Sequence, residues 1–309
     1  METKTRPSRL LPYLALLGTV LVWGLSFVSS KTILNAGVPP MSMVFLRFAV
    51  ATVLLFLVLR IREPAARLGR ADVLPLMASG FFGVTVYFFF ESRGIRLTSA
   101  SNASLIIATI PVFTVLAELV FRHKAVSPLQ WGGVALSVAG VWIITRRASE
   151  GAAAVPVLGN LMMLGACLSW VVYMMLSRDL HGRLSDLSIT TYQAAFGTLF
   201  LAPFALAEYP QWVPLGPLPA ANILYLAVFC SALGNFLYVY ALSRLGPVAV
   251  SPSVNLIPVV GVLGGVFLLG EPLSWTQIAG GVVIVAGVVV VNGTFGGARA
   301  RTDMEGGTS

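Results

Sequence analysis

Apolar runs of about 20 residues recur ten times along this chain, parted by short segments where charge, Pro or Gly interrupts them. A helix rises about 1.5 Å per residue, so such a run is long enough to cross the hydrocarbon of a bilayer. The pattern predicts spans near 11–31, 41–60, 72–92, 98–121, 127–145, 157–178, 188–207, 220–242, 248–269 and 275–293. The runs are not uniformly apolar. In TVLVWGLSFVSSK, Thr19 to Lys31, the residues Thr19, Trp23, Ser26 and Ser30 follow at helical spacing and share one face. A polar face on a membrane-length helix calls for protein or water beside it rather than lipid.

The second half of the chain echoes the first. The stretches PVFTVLAELVFRHKAVSPLQWGGVALSVAG from Pro111 and PVVGVLGGVFLLGEPLSWTQIAGGVVIVAG from Pro258 begin 147 residues apart. The same offset aligns Ser127 with Ser274, Gln130 with Gln277, Gly133 with Gly280 and Trp23 with Trp170. Each half then holds five spans. Five is odd, so the halves enter the membrane from opposite sides, the inverted repeat of many secondary transporters. The predicted fold is an all-α integral membrane protein of ten transmembrane helices in two inverted five-helix repeats. Its predicted parts are a tail at 1–10, a first repeat at 11–147, a linker at 148–156, a second repeat at 157–293 and a tail at 294–309. Both tails are polar and the second is Gly-rich, the composition of unstructured chain.

The polar faces recur at symmetric places. The offset carries Trp23, Ser26 and Ser30 onto Trp170, Tyr173 and Ser177. Tyr87 and Glu91 continue a Gly80–Gly83 stripe on the third helix, and Ser231, Asn235 and Tyr238 mark the eighth. Asn102 stands on the fourth; Ser251 and Asn255 stand on the ninth. The candidate substrate contacts are therefore Trp23, Ser26, Ser30, Tyr87, Asn102, Trp170, Tyr173, Asn235, Tyr238, Ser251 and Asn255. Serines bonded back to their own helix and asparagines bonded between helices are the purely structural alternative.

Charge inside the spans is confined to Arg47, Glu91 and Glu118, candidates for an ion pair or for proton coupling. Arg47 and Glu91 fall at similar depth, which allows them to pair. Pro111 and Pro258 each deprive the carbonyl four residues earlier, Ile107 or Val254, of its donor, and are candidate hinges or static kinks.

Composition agrees with the pattern: 57% of residues are hydrophobic and only 10% charged, against about 25% charged in a soluble domain. The net charge of +8 forms no basic face, so nucleic acid is not expected as a partner. With the N-terminus inside, 14 of the 20 basic residues fall in inner segments and 5 in outer ones, with Arg47 in a span. The positive-inside rule then sets both termini in the cytoplasm. Lys4, Arg6 and Arg9 precede an apolar run, as in a signal peptide, but no small-residue cleavage site follows and the run has a counterpart later. Cys167 and Cys230 lie within different spans and read as core-filling residues rather than a disulfide or metal pair. The sequons at Asn102 and Asn292 lie at span ends and carry no weight. His123 and His181 sit at loop edges, and no HExxH, nucleophile elbow or Walker A loop is present, so neither an enzyme nor an ATP-driven pump is expected, with no cofactor and no metal.

The Trp-Gly-x-Ser-Phe run at Trp23 to Phe27, the intramembrane Arg47 and the run LGEPLSWTQIAGGVVIVAGV at Leu269 to Val288 together resemble the drug/metabolite transporter superfamily, in its EamA-type form. The sequence departs from that pattern at Arg122-His123-Lys124, where the first repeat would more usually read Leu-Gly-Glu, as at Leu269 to Glu271. Ten spans without an extra domain resemble the bacterial amino-acid and metabolite exporters, the YddG-like ones among them. The resemblance implies a secondary transporter of the inner membrane that moves small molecules outward by uniport or proton exchange. An aromatic, hydroxyl-rich path with one cation suits small zwitterionic or neutral metabolites, above all amino acids, and argues against phosphorylated cargo. Drug-like or quaternary cations and a channel-like facilitator stay open. The expected partners are the small-molecule substrate, membrane lipid and protons, with the protein a monomer.

Overall fold

The computed structural model describes residues 10–123, 125–148, 155–180, 183–245 and 255–305, and across them every element is helical. The helices are α1 Leu10–Asn35, α2 Pro40–Arg62, α3 Arg70–Leu97, α4 Ala100–Arg122, α5 Pro128–Ala148, α6 Val155–Ser177 and α7 Asp186–Ala207. Then come α8 in three pieces, Pro217–Tyr225, Leu226–Leu233 and Gly234–Leu245, followed by α9 Ile257–Leu269 and α10 Trp275–Glu305. Among the described residues, eight helices are long and apolar enough to cross a membrane, and two shorter apolar ones, Ile257–Leu269 and Trp275–Val291, accompany them. The expected start of the ninth span near 248 lies outside the described residues. The tail expected from 294 is helical to Glu305, because Ala298, Arg299, Ala300 and Arg301 favour continuing α10.

The burial pattern is that of a membrane protein. On α1, Leu10, Leu14, Leu17 and Leu21 are 44–65% exposed, whereas Thr19, Ser29 and Ser30 are buried. Apolar side chains face outward and hydroxyls inward, because lipid is as good a solvent for leucine as a protein core. The face of the bundle where α1 starts is the near face; the opposite one is the far face.

The two halves repeat each other in fine geometry. Helix α4 breaks at Ala108–Thr109 and a turn at Asn255–Leu256 precedes α9, each 147 residues from its counterpart. Pro111 and Pro258 take the second position of the helical piece that follows, where a missing N–H costs no intrahelical bond. Each proline thus starts a helix after a break instead of kinking a continuous one. At the other ends of these helices, His123 (φ 52°) and Gly270 (φ 67°) are both left-handed, and their N–H groups reach the carbonyls of Glu118 and Gly265. Beyond them, Ser127 with Gln130 and Ser274 with Gln277 build matching capping boxes, with N–H to Oε1 distances of 2.9 Å in both.

Helices α5 and α10 run antiparallel along a glycine seam. A Cβ at Gly133 would stand 2.7 Å from the Gly287 carbonyl oxygen, and one at Gly140 would stand 2.7 Å from that of Gly280. Gly132, one residue along, has nothing within 4 Å of such a Cβ. The neighbouring substitutions should therefore diverge. Gly133→Ala forces the helices apart and is expected to cost about 1–3 kcal/mol. Gly132→Ala gains helix propensity of up to about 1 kcal/mol. Thermal unfolding in detergent measures both, and equal melting temperatures would contradict the seam.

Candidate functional site

The centre of the bundle holds two aromatic groups, built around the repeat-related Trp23 and Trp170. On one side the Trp23 and Tyr238 rings lie 5.4 Å apart, and Trp23 Nε1 donates to the Cys230 carbonyl at 3.0 Å. On the other, Trp170 lies 5.1 Å from Tyr87 and 4.8 Å from Tyr173. Each group rests on a wide-wound π segment, Leu226–Leu233 in α8 and Phe81–Val86 in α3. A π turn changes the ladder register and makes backbone acceptors available to neighbours. Cys230 O serves Trp23 of α1, and Phe82 O takes Ser169 Oγ of α6 at 2.7 Å. Glycine makes the approach possible in both halves: a Cβ at Gly234 would meet Trp23 Nε1 at 2.7 Å, and one at Gly83 would collide with the Tyr173 ring.

Arg47 on α2 joins the two groups. Its Nε donates to Ser231 Oγ at 2.9 Å, while its guanidinium lies over the Phe88 and Phe48 rings, 4.7 and 5.3 Å from their centroids. Phe88 touches Tyr87, with centroids 4.7 Å apart, and the Tyr87 hydroxyl donates to Glu91 Oε1 at 3.3 Å. An aromatic belt thus runs from α1 and α8, past α2, to α3 and α6. Glu91 Oε2 is buried without a hydrogen-bond partner. Arg47 and Glu91 are only 7% and 5% exposed, at the similar depth the sequence suggested, yet Arg47 bonds Ser231 rather than Glu91.

Of the sequence-predicted contacts, Trp23, Tyr87, Trp170, Tyr173 and Tyr238 come together in this belt. Ser26 Oγ returns to Trp23 O at 2.6 Å and Asn235 Nδ2 to Ser231 O at 2.9 Å, both within their own helices. Ser30 is buried, Asn255 stands in the turn before α9, and Ser251 lies outside the described residues, as does Val254. Asn102 belongs elsewhere: near the far face, its Oδ1 accepts from Gln277 Nε2 at 3.0 Å. Glu118 sits in the near-face half of α4. Cys167 and Cys230 are free and buried, with Sγ groups directed at the Ile106 and Val22 carbonyls. Sequence reasoning passed over Phe88, Ser169 and Gln193, whose Nε2 donates to Ser79 and Ser177 at 2.9 Å each.

It also passed over what closes the far face. The α3–α4 corner presents helix-end carbonyls on one side and helix-start N–H groups on the other. Lys31 Nζ donates to Ile95 O at 2.8 Å and Thr98 O at 2.6 Å. Glu271 accepts from Ala100 N at 2.7 Å, Ser101 N at 3.0 Å and Ser101 Oγ at 2.7 Å. Cation on carbonyls and carboxylate on N–H groups is the favourable sense of both helix dipoles. Thr98 Oγ1 completes the corner by donating to Asn160 Oδ1 of α6 at 2.7 Å. Ile33, Ile95, Ala100 and Ser101 beneath are at most 1% exposed, so the far face is shut here. The only sequence hint of this latch was the odd Arg122-His123-Lys124, which sets Lys124 opposite Glu271 in the repeat.

With this geometry in view, the comparisons with known proteins agree on a class. The EamA-like transporter family matches the chain twice, over residues 10–146 and 157–293. An uncharacterized transporter of Archaeoglobus fulgidus is 31% identical over 89% of this chain and 95% of its own. A probable terminal-alkyne amino-acid exporter of Streptantibioticus cattleyicolor is 30% identical over 94% and 97%. A probable amino-acid metabolite efflux pump of Salmonella typhimurium is 30% identical over 90% and 93%. One solved crystal structure, at 21% identity, superposes with a TM-score of 0.63 over 92% of this chain and 96% of its own, a likeness of fold.

Glu271→Ala leaves the Ala100 and Ser101 N–H groups without acceptors. Charge-assisted bonds of this kind hold about 1.5–3 kcal/mol each, so amide exchange across 98–104 should quicken at least about tenfold. Hydrogen–deuterium exchange mass spectrometry reads this directly, and unchanged protection would show that the latch is not what holds the corner.

Proposed function

Because the chain belongs to the EamA-like transporter family, within the drug/metabolite transporter superfamily, we propose that it exports amino acids and similar small zwitterions by alternating access. The observation that carries this reading is the relation of Arg47 to Glu91. They are the one buried cation and the one buried anion of the aromatic belt, and they are not bonded to each other. A buried charge is costly unless a partner offsets it. A zwitterion supplies both partners: its carboxylate meets the Arg47 guanidinium, its ammonium meets Glu91 Oε2, and its side chain packs on Trp23, Trp170 and Tyr238. The Streptantibioticus and Salmonella relatives, a probable terminal-alkyne amino-acid exporter and a probable amino-acid metabolite efflux pump, support the same cargo.

In this reading the two repeats rock against each other around the belt, with the breaks before Pro111 and Pro258 absorbing the movement. The 14-to-5 partition of basic residues supports cytoplasmic termini, and the family resemblance supports the inner membrane. The near face is then the cytoplasmic one, from which an exporter loads. Glu91 also offers a route to proton coupling, by holding a proton when no ammonium is bound. A drug-like cation is the second reading, favoured by the unpartnered Glu91 oxygen and the aromatic walls.

Proteoliposomes loaded with mixed amino acids test both readings. The expected result is saturable efflux of a few amino acids, with Arg47→Leu and Glu91→Gln each lowering it at least about tenfold, as loss of a buried charged contact implies. Trp23→Ala and Trp170→Ala should cut flux without preventing membrane insertion. Efflux of quaternary cations that survives Arg47→Leu would support the second reading. Non-saturable flux would indicate a channel, and normal flux in both Trp variants would remove the belt from the path.

A further inference from the structure

Outside the belt, one site combines free positive charge with an apolar floor. A groove of about 600 Å³ opens at the far face between α3, α6 and α7. Arg93 and Arg96 stand at its lip, and Leu97, Met162 and Phe204 line it. Arg93 lies over the Phe89 ring at 3.9 Å and is only loosely paired, its Nη2 3.9 Å from Glu208 Oε1. The other Glu208 oxygen is committed to the start of α2, accepting from Ser42 N at 2.8 Å and Ser42 Oγ at 3.0 Å. The Arg96 side chain is exposed and makes no hydrogen bond, ion pair or ring contact among the described residues. The lip therefore keeps a positive excess.

Its depth is marked independently. Tyr209 and Trp212, ring centroids 5.5 Å apart and 66% and 44% exposed, sit beside Glu208 and Gln211 in the α7–α8 connection. Exposed Tyr and Trp at helix ends mark the level of lipid headgroups. Phe89 and Phe204 lie one helical turn before Arg93 and Glu208, so they stand about 5 Å deeper, at acyl-chain level. Guanidinium at headgroup height over aromatic and thioether surface is complementary to one class of molecule. The repeat does not reproduce it: the positions matching Arg93 and Arg96 are Tyr240 and Ser243.

We propose that this groove is a binding site for an anionic phospholipid. The phosphodiester bridges Arg93 and Arg96, and one acyl chain lies along Phe89, Met162 and Phe204. Arg guanidinium suits a phosphodiester because its fork donates to two oxygens at once. Binding would draw Arg93 from its long contact with Glu208 and leave the Glu208–Ser42 bonds in place.

Native mass spectrometry of the delipidated full chain, titrated with phosphatidylglycerol, phosphatidylethanolamine or phosphatidylcholine of identical acyl chains, tests the site. One phosphatidylglycerol per chain should bind at least about tenfold more tightly than phosphatidylcholine, as two interfacial arginines imply. Arg96→Gln, at an exposed and unbonded side chain, should weaken that preference with the melting temperature unchanged, and Arg93→Gln/Arg96→Gln should abolish it. Excess glycerol phosphate separates headgroup from lipid: failure to displace is expected, whereas displacement would reassign the groove to a soluble organophosphate and overturn the proposal. Equal binding of all three lipids, or a preference that survives the double variant, would also overturn it.

Discussion

A backbone N–H or C=O in hydrocarbon has no water to turn to, and this fold is organised around that fact. Where a helix departs from a continuous ladder, a nearby side chain, in most cases from another element, supplies a bond. Cys230 O in the α8 π segment takes the Trp23 indole, and Phe82 O in the α3 segment takes Ser169. At the break in α4, Ile106 O accepts from Thr109 N at 2.9 Å and Thr109 Oγ1 at 2.6 Å. At the α3–α4 corner, Lys31 and Glu271 satisfy the two helix ends, and Glu208 does the same for the start of α2. Most of these donors and acceptors come from the opposite half of the chain. Satisfying the backbone is therefore also what ties the two repeats together.

That same requirement places the belt. Trp23 and Tyr173 reach the centre because Gly234 and Gly83 leave space on the π turns, and Trp23 is further held by the carbonyl such a turn makes available. Aromatic rings, three of them tyrosines, and a single pair of unlike charges are thereby gathered at mid-depth. The chemistry is apolar in bulk with sparse, directed polarity, which suits a cargo that carries its own charges.

The helices were legible because an apolar run of about 20 residues between Pro, Gly and charge has few alternatives in any solvent. The repeat was legible because Pro, Trp and capping-box residues cannot be exchanged freely at their positions. The stripe on α1 pointed to Trp23, which stands in the belt, and to Ser26, whose hydroxyl returns to the Trp23 carbonyl in its own helix. The partner of Asn102 at the far face, Gln277, was not legible, because periodicity gives the face of a residue and not what meets it. The π turns were invisible, since nothing local in LAVFCSAL disfavours an ordinary helix; the neighbours decide. The pairing of Arg47 with Ser231 was hidden for the same reason, being a choice among groups that only the packed bundle brings near.

The duplication left one asymmetry that reaches beyond packing. Exchange of the two faces, in a carrier that alternates, would ask position 124 to do for the near-face corner what Glu271 does for the far one. Lysine only donates hydrogen bonds and carries the sign a helix start repels. Among the described residues, a carboxylate catch of this kind stands at the far face. In the alternating carrier proposed above, the two closed forms would differ in energy by the worth of that catch, each 1.4 kcal/mol being about a tenfold tilt in how long the carrier waits in one of them. Under that proposal turnover would be governed at one door, and cargo arriving from opposite sides of the membrane would meet carriers in different abundance.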